Sequence, residues 1–303
     1  MKILISDKMS NKVEDVLKSK QIDYDIKTGM SPEELKEVID QYDGILIRSA
    51  TKLTSDILAD CKNLKVIGRA GVGVDNVDLD QATKNKILVM NTPLGNLEAT
   101  AELSVGLMFS LMRNIHLANE STHQGKWEKP KFIGTELKGK TLGIVGYGNI
   151  GQRVAEICST IGMNIITNSK SASDEDLSRY KAKKVSTEQL IKEADIISIH
   201  TKLNDETKYM FNKETLSIMK PTSVIINCAR GGLINEVDLK DALNNEVIAG
   251  AAIDVYENEP ATDNVMFGTK NLLLTPHLGA SSKEAQSNVA IDVANQVADF
   301  LKD

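Results

Sequence analysis

Three side chains able to do chemistry each stand just past a short apolar run. His277 follows Leu272-Leu273-Leu274-Thr275-Pro276, Glu259 follows Ile253-Asp254-Val255-Tyr256, and Arg230 lies in Asn227-Cys228-Ala229-Arg230-Gly231-Gly232. An imidazole moves a proton near neutral pH, and a carboxylate beside it stabilises the imidazolium. A guanidinium flanked by glycines presents a planar fork to a carboxylate. Singly, each has a plainer reading. A lone histidine is more often structural, Arg230 resembles a surface arginine after a turn, and Asp254 resembles a cap. Their common placement gives them weight, because open parallel sheets bind ligands beyond the carboxyl ends of their strands. Sequence does not show that His277 and Glu259 touch.

A fourth feature supplies a second ligand. Thr141-Leu142-Gly143-Ile144-Val145 reads as a buried strand, breaks into Gly146-Tyr147-Gly148-Asn149-Ile150-Gly151, and restarts as a helix carrying Val154, Ala155, Ile157 and Cys158. Gly146 suits a tight turn, Gly148 lets backbone approach a pyrophosphate, and Gly151 lets helix pack on strand. Free amides at the helix start then face the anion. Strand before and helix after raise this from a glycine-rich turn to a dinucleotide site.

The elements around these residues alternate. Strands are expected at Ile3-Ile5, Tyr24-Ile26, Gly44-Ile47, Val66-Gly68 and Leu88-Met90, with helical patterns between, one opening at Ser31-Pro32. Asn91-Thr92-Pro93-Leu94-Gly95-Asn96 breaks the pattern, and one long helix is expected from about Leu97 to Thr122, with Leu103, Leu107, Leu111 and Ile115 on one face. After a loop holding Trp127, a second sheet of about six strands is expected: the glycine-loop strand, then Asn164-Thr167, Ile196-Ile199, Val224-Asn227, Ile248-Ile253 and Leu272-Leu274. An amphipathic helix from about Lys283 to Leu301 turns Val289, Val293, Val297 and Phe300 to one side. The fold class is α/β: two doubly wound parallel sheets with a cleft between them.

Lesser features fill in around this frame. His200 and Thr201 end a strand and are placed to line the dinucleotide cleft, whereas His116 and His123 read as solvated. Gly68-Arg69-Ala70-Gly71-Val72-Gly73-Val74-Asp75, with Arg48-Ser49, offers amides and a guanidinium to an anionic substrate. Lys181-Ala182-Lys183-Lys184 and Glu33-Glu34 read as solvated helix faces.

Composition narrows the partners. The 303 residues suggest two domains, and the net charge of −6 with scattered Lys and Arg argues against nucleic acid. No apolar run reaches the roughly 20 residues of a membrane span. The N-terminus enters a strand directly, which argues against a signal peptide. Cys61, Cys158 and Cys228 sit far apart in apolar segments, as buried thiols of a reducing cytoplasm would. No metal-ligand cluster stands out.

Taken together these motifs resemble the D-isomer-specific 2-hydroxyacid dehydrogenases over nearly the whole chain. The resemblance rests on Arg48-Ser49-Ala50-Thr51, Arg69-Ala70-Gly71-Val72-Gly73-Val74-Asp75-Asn76, Gly134-Thr135-Glu136-Leu137-Lys138-Gly139-Lys140-Thr141, Asn227–Gly232, Ala252-Ile253-Asp254-Val255 and Pro276-His277-Leu278-Gly279-Ala280-Ser281. It implies an oxidoreductase moving a hydride between NAD or NADP and a small anionic 2-hydroxy or 2-oxo acid. Within the family it points to the branch that takes 3-phosphoglycerate to 3-phosphohydroxypyruvate at the head of serine biosynthesis. His277 is then the proton donor or acceptor, Glu259 its partner, and Arg230 the clamp on carboxylate and C2 oxygen. Gly146, Gly148, Asn149, Ile150, Gly151, Ser169, Lys170, Thr201, Cys228, Ala229, Asp254, Gly279 and Ala280 would meet the cofactor. Arg48, Ser49, Arg69, Gly71 and Asn96 would face the substrate. The resemblance also implies a discontinuous substrate domain, 1–95 with 284–303, around a dinucleotide domain, 96–283. It implies a cytoplasmic homodimer built through the long helix and the Trp127 loop, with Lys129 reaching a phosphate in the partner's cleft.

Two positions depart from the pattern. The acid expected about 20 residues past the glycines, on the ribose 2′-OH, is missing. The strand ends instead in Thr167-Asn168-Ser169-Lys170. Either NADP is used, or Asp174 or water takes the ribose and NAD is used. Val72 stands where a hydroxyl residue is common in the phosphoglycerate branch. With the chain ending at Asp303, no serine-sensing regulatory domain and no serine feedback are expected. The rival expectations are a glyoxylate or hydroxypyruvate reductase and, from another class, a nucleotide-sensing corepressor-like module.

Overall fold

Continuous apolar runs such as Gly44–Ile47 and Ile196–Ile199 suit strands covered on both faces, and they lie inside two parallel sheets. A computed structural model describes residues 1–302. Its contacts divide the chain into two units, one of Met1–Leu97 with the segment from Ala280, the other of Glu98–Gly279.

Among the described residues the first unit has five strands: β1 (Lys2–Ile5), β2 (Asp23–Ile26), β3 (Gly44–Ile47), β4 (Val66–Arg69) and β5 (Leu88–Asn91). They run parallel in the order β2-β1-β3-β4-β5. Central β3 is wholly buried and the edges β2 and β5 are part-exposed. The helix Pro32–Val38 opens on a complete capping box, with Ser31 and Glu34 bonding each other's backbone. The helix Lys283–Lys302 lays Val293 and Val297 over Gly68, where a Cβ would come within 2.7 Å of both. Burying each of its inward valines and Leu301 is worth roughly 1.5–3 kcal/mol. Phe300 was expected on that face but is 38% exposed, and Leu301 takes the inward place.

The second unit's strands are β6 (Thr141–Val145), β7 (Asn164–Thr167), β8 (Lys183–Lys184), β9 (Ile196–Ile199), β10 (Val224–Asn227), β11 (Gly250–Ile253) and β12 (Leu272–Leu274). All are parallel, in the order β12-β11-β10-β9-β6-β7-β8. From β8 inward this is the 3-2-1-4-5-6 order of doubly wound dinucleotide folds, extended by β12, with the order reversing between β6 and β9.

Three local expectations fail. Lys183–Lys184 is not a helix face but the edge strand β8, paired with Ile166 and Thr167. Two exposed lysines carry no apolar alternation to announce a strand, and charge on an edge discourages further pairing. The long helix is broken in two, Leu97–Met112 and Ile115–His123, with Asn114 left-handed at φ +52° between them. The returning chain causes the break, since Thr135 N–H donates to the Met112 carbonyl at 2.7 Å. Leu107 and Leu111 are buried as expected, but Ile115 is exposed. Nor is His116 simply solvated, because its Nε2 is buried and its Nδ1 lies 3.3 Å from the Ser110 carbonyl oxygen.

Candidate active site

At the tip of β6 the backbone is packed too tightly for side chains. Gly146 has φ +90°, and a Cβ there would lie 2.5 Å from the His200 carbonyl oxygen beyond β9. A Cβ on Gly151 would lie 2.2 Å from the Gly146 carbonyl oxygen, so the helix Asn149–Ile161 starts directly against the turn. Gly148 is its N-cap, no side chain caps it, and the space beside Gly148 is open. The helix start, carrying Asn149 and Ile150, is therefore an anion cradle with the positive end of the helix dipole behind it. A pyrophosphate fits such a cradle. Tyr147 turns the other way into the core, where burial pushes its phenol up to about 12.

The next strand tips lie along the same edge of the sheet. Buried Thr167 donates to the Ile144 carbonyl and accepts from the Ser169 N–H. Ser169 and Lys170 follow in the turn after β7. After β9, His200 Nε2 lies 2.8 Å from Ser198 Oγ, and burial pushes the imidazole down to about 4, so it is neutral at neutral pH. Thr201 adjoins it. After β10, Cys228 is buried, which pushes its thiol up to about 12 and makes it a packing group rather than a nucleophile.

The loops after β10, β11 and β12 carry the three reactive groups together. Asn227 shapes the first, its amide donating to the Arg230 carbonyl at 2.9 Å and accepting from the Ala229 N–H at 3.0 Å. A Cβ on Gly231 would lie 1.8 Å from the Tyr256 carbonyl oxygen. Only glycine lets the Arg230 loop approach the β11 loop so closely. Past β11, Asp254 is fully buried and accepts from Thr275 Oγ1 (2.5 Å), Leu278 N (2.7 Å) and Gly279 N (2.9 Å). Burial raises its pKa against those three hydrogen bonds. The loop it pins presents His277, held left-handed at φ +53°, a conformation that costs a non-glycine residue on the order of 1–3 kcal/mol.

His277 Nδ1 meets Glu259 Oε2 at 2.7 Å, and Glu259 Oε1 accepts from the Tyr256 N–H at 3.0 Å. Burial alone would raise the Glu259 carboxyl. The His277 contact, the Tyr256 amide and the charges of His277 and Arg230 outweigh it and hold the carboxyl below its ordinary value. With Nδ1 committed to Glu259, Nε2 is the nitrogen left to exchange a proton. A base oriented by a carboxylate, with a guanidinium close by, suits proton transfer on a substrate bearing its own carboxylate.

In the first unit, Arg48 and Ser49 follow β3 on a loop fixed by Asp7, which sequence reading passed over, and by Asn76, which it quoted only as the end of a motif. Asp7 accepts from Arg48 N (2.5 Å), Thr51 N (3.2 Å) and Thr51 Oγ1 (2.9 Å). Asn76 donates to the carbonyls of Arg48 (2.6 Å) and Thr51 (2.7 Å). An acid two residues past a buried strand was the available signal. Arg69, at the end of β4, folds its guanidinium against Gly71, whose N–H donates to Thr92 Oγ1 at 2.8 Å. Asn96 stands just before the helix from Leu97, and Ala280 opens this unit's C-terminal segment. Lys129 is exposed on the 3-10 helix Lys129–Phe132 of the second unit.

Among the described residues no three His, Cys, Asp or Glu side chains group to hold a metal ion, and no helix is long and apolar enough to cross a membrane.

Residues 105–279 match the family described as D-isomer specific 2-hydroxyacid dehydrogenase, NAD binding domain. The chain is similar to D-3-phosphoglycerate dehydrogenases of Synechocystis sp., at 45% identity over 99% of this chain and 54% of that protein, and of Bacillus subtilis, at 43% over 99% and 57%. It thus spans a little over half the length of these relatives. Among solved structures it is similar to a glyoxylate reductase from Paecilomyes thermophila, with a TM-score of 0.89 and 30% identity over 98% of this chain and 93% of that one. The family match runs through the same strand tips that carry the glycine cradle and the His277–Glu259 pair. The chain therefore belongs to the D-isomer specific 2-hydroxyacid dehydrogenases.

Proposed function

We propose that the chain interconverts a D-2-hydroxy acid and its 2-oxo acid, with 3-phosphoglycerate the substrate at the head of serine biosynthesis. The observation that carries this is the 2.7 Å contact between His277 and Glu259 beside the Arg230 charge. The substrate class rests on the similarity to phosphoglycerate dehydrogenases at 43–45% identity.

When bound, the nicotinamide supplies the hydride acceptor or donor; the chain's residues do the rest. Arg230 binds the substrate carboxylate and the C2 oxygen, fixing C2. His277 Nε2 removes the C2 hydroxyl proton during oxidation and returns it during reduction. Glu259 holds the ring and stabilises the imidazolium that forms. Asn149 and Ile150 face the pyrophosphate, while Thr201, Cys228, Ala229, Asp254, Gly279 and Ala280 line the nucleoside and nicotinamide pocket. Arg48, Ser49, Arg69, Gly71 and Asn96 bind the anionic end of the acid.

The working form is a homodimer in the cytoplasm, without a nucleic-acid partner. Ile115, Trp127 (87% exposed) and Ile133 (82% exposed) support the dimer, being large apolar side chains on neighbouring segments that a second copy would cover. Lys129 then serves the partner's substrate phosphate.

A second reading, a glyoxylate or hydroxypyruvate reductase, is favoured by the likeness to a glyoxylate reductase and by the carboxylate-free end of β7. The test is turnover of 3-phosphoglycerate with either oxidised cofactor against reduction of hydroxypyruvate and glyoxylate with either reduced one. We expect 3-phosphoglycerate to be oxidised; reduction of the unphosphorylated acids alone would replace the first reading by the second. His277→Ala should lower turnover by about 10²–10⁴-fold with cofactor affinity retained.

A further inference from the structure

Resting on the reading of the glycine cradle as a dinucleotide site, we infer that the turn after β7 is built for the 2′-phosphate of NADP rather than the free 2′-hydroxyl of NAD. In this topology the end of the second strand faces the adenosine ribose, and an acid there accepts from the 2′-OH. Here residues 168–173 are Asn-Ser-Lys-Ser-Ala-Ser, without a carboxylate.

The turn holds donors and positive charge instead. Lys184, on the edge strand β8 opposite the last residue of β7, donates its ammonium to the Lys170 carbonyl oxygen at 3.0 Å. That contact anchors a cation at the turn instead of leaving it to wander in solvent. Lys170 adds a second ammonium. Ser169 and Ser171 bring their hydroxyls within 3.3 Å of each other, able to donate to a common oxyanion. The Asn168 side chain is turned aside, donating to Thr187 Oγ1 at 3.0 Å.

The nearest acids are occupied within their own helix. Asp176 accepts from Ser173 Oγ at 2.7 Å, and Glu175 pairs with Arg179 at 2.6 Å. Asp174 is the one carboxylate with a claim on the ribose. A phosphate needs cations and hydroxyl donors, and a free 2′-OH needs an acceptor; the turn supplies the first set. β8 thereby gains a use: two residues of strand suffice to aim Lys184.

The test is calorimetric binding of NADPH, NADH, 2′,5′-ADP and 5′-AMP to the full chain. NADPH should bind about tenfold or more tightly than NADH, and 2′,5′-ADP should exceed 5′-AMP by a similar factor. Lys184→Ala and Lys170→Ala should each draw the NADPH:NADH ratio toward one, and added salt should weaken NADPH more than NADH. Equal binding, or tighter NADH binding, overturns the inference and leaves the dinucleotide site standing; loss of NADH affinity in Asp174→Asn would then name the ribose acceptor. If no nucleotide binds, the reading of the cradle itself fails, and the inference with it.

Discussion

The two sheets share a strand order and differ in what fills the point where that order reverses. β2-β1-β3-β4-β5 in the first unit repeats as β7-β6-β9-β10-β11 in the second. Past β1 the chain places Asp7, whose carboxylate takes the amides of Arg48 and Thr51 from the loop after β3. Past β6 it places Gly146 and Gly148, which bring the backbone against His200 and leave a helix start uncapped. In one crevice a side chain of the protein's own takes the loop amides; in the other no side chain caps the helix start and the space beside Gly148 is open. Doubly wound sheets thus offer the same crevice repeatedly, and one or two residues past the first strand decide whether a side chain of the protein fills it.

The largest expected effect separates two carboxylates with different duties. Glu259 faces an imidazole and Asp7 faces backbone amides. Glu259→Gln should lower turnover about 10²–10⁴-fold and also remove a small stabilisation at neutral pH. The Glu259 carboxyl lies below its ordinary value, so its contribution to stability is present above that value and lost as pH falls through the lowered one. Acid unfolding curves of wild type and Glu259→Gln should therefore converge at the lowest pH.

Closing the open crevice is the next test. Gly151→Val would drive a side chain into the Gly146 carbonyl and push the helix off the turn. Dinucleotide affinity should fall about 100-fold or more, read by calorimetry. Retained affinity would mean that the helix start is not the anion site.

Emptying the filled crevice should act differently. Asp7→Asn keeps the shape but loses hydrogen bonds to a charged acceptor, each worth about 1.5–3 kcal/mol. Denaturation should show a loss of that order, and KM for the acid should rise with cofactor affinity unchanged. Equal losses in both would mark Asp7 as a general stabiliser rather than a brace for the Arg48 loop.

The smallest effect concerns His200, beside the open crevice. Burial lowers its pKa from 6.5 to about 4, so the unfolded chain takes up a proton first as pH falls. The stability it allows is complete above about 6.5 and declines toward 4, by up to about 1 kcal/mol per pH unit. His200→Gln should flatten the wild-type slope across that window.

How legible this was in the sequence varied with the range of the interactions. Ile3-Ile5, Val224-Asn227 and the Gly146–Gly151 turn announce themselves through local runs and glycine spacing, and they fold as read. β8 did not, because two lysines have no periodicity and become a strand only by pairing with β7. The break at Asn114 was hidden for the same reason, being imposed by Thr135 some twenty residues on. Asp7 and Asn76 looked like ordinary polar residues until β3 and its loop were brought to them. The residues of the reactive trio could be named from their positions after strands. The His277–Glu259 contact needed the loops after β11 and β12 to meet, with Asp254 pinning the second of them.

The most direct test of the account follows the hydrogen at C2. D-3-phosphoglycerate carrying deuterium at C2 is incubated with the chain and oxidised cofactor, and the reduced cofactor is analysed by mass spectrometry. The account predicts deuterium on the nicotinamide in one-to-one yield with 3-phosphohydroxypyruvate, and transfer slowed about 10²–10⁴-fold in His277→Ala. Deuterium lost to water, or label transferred equally well without His277, would contradict it.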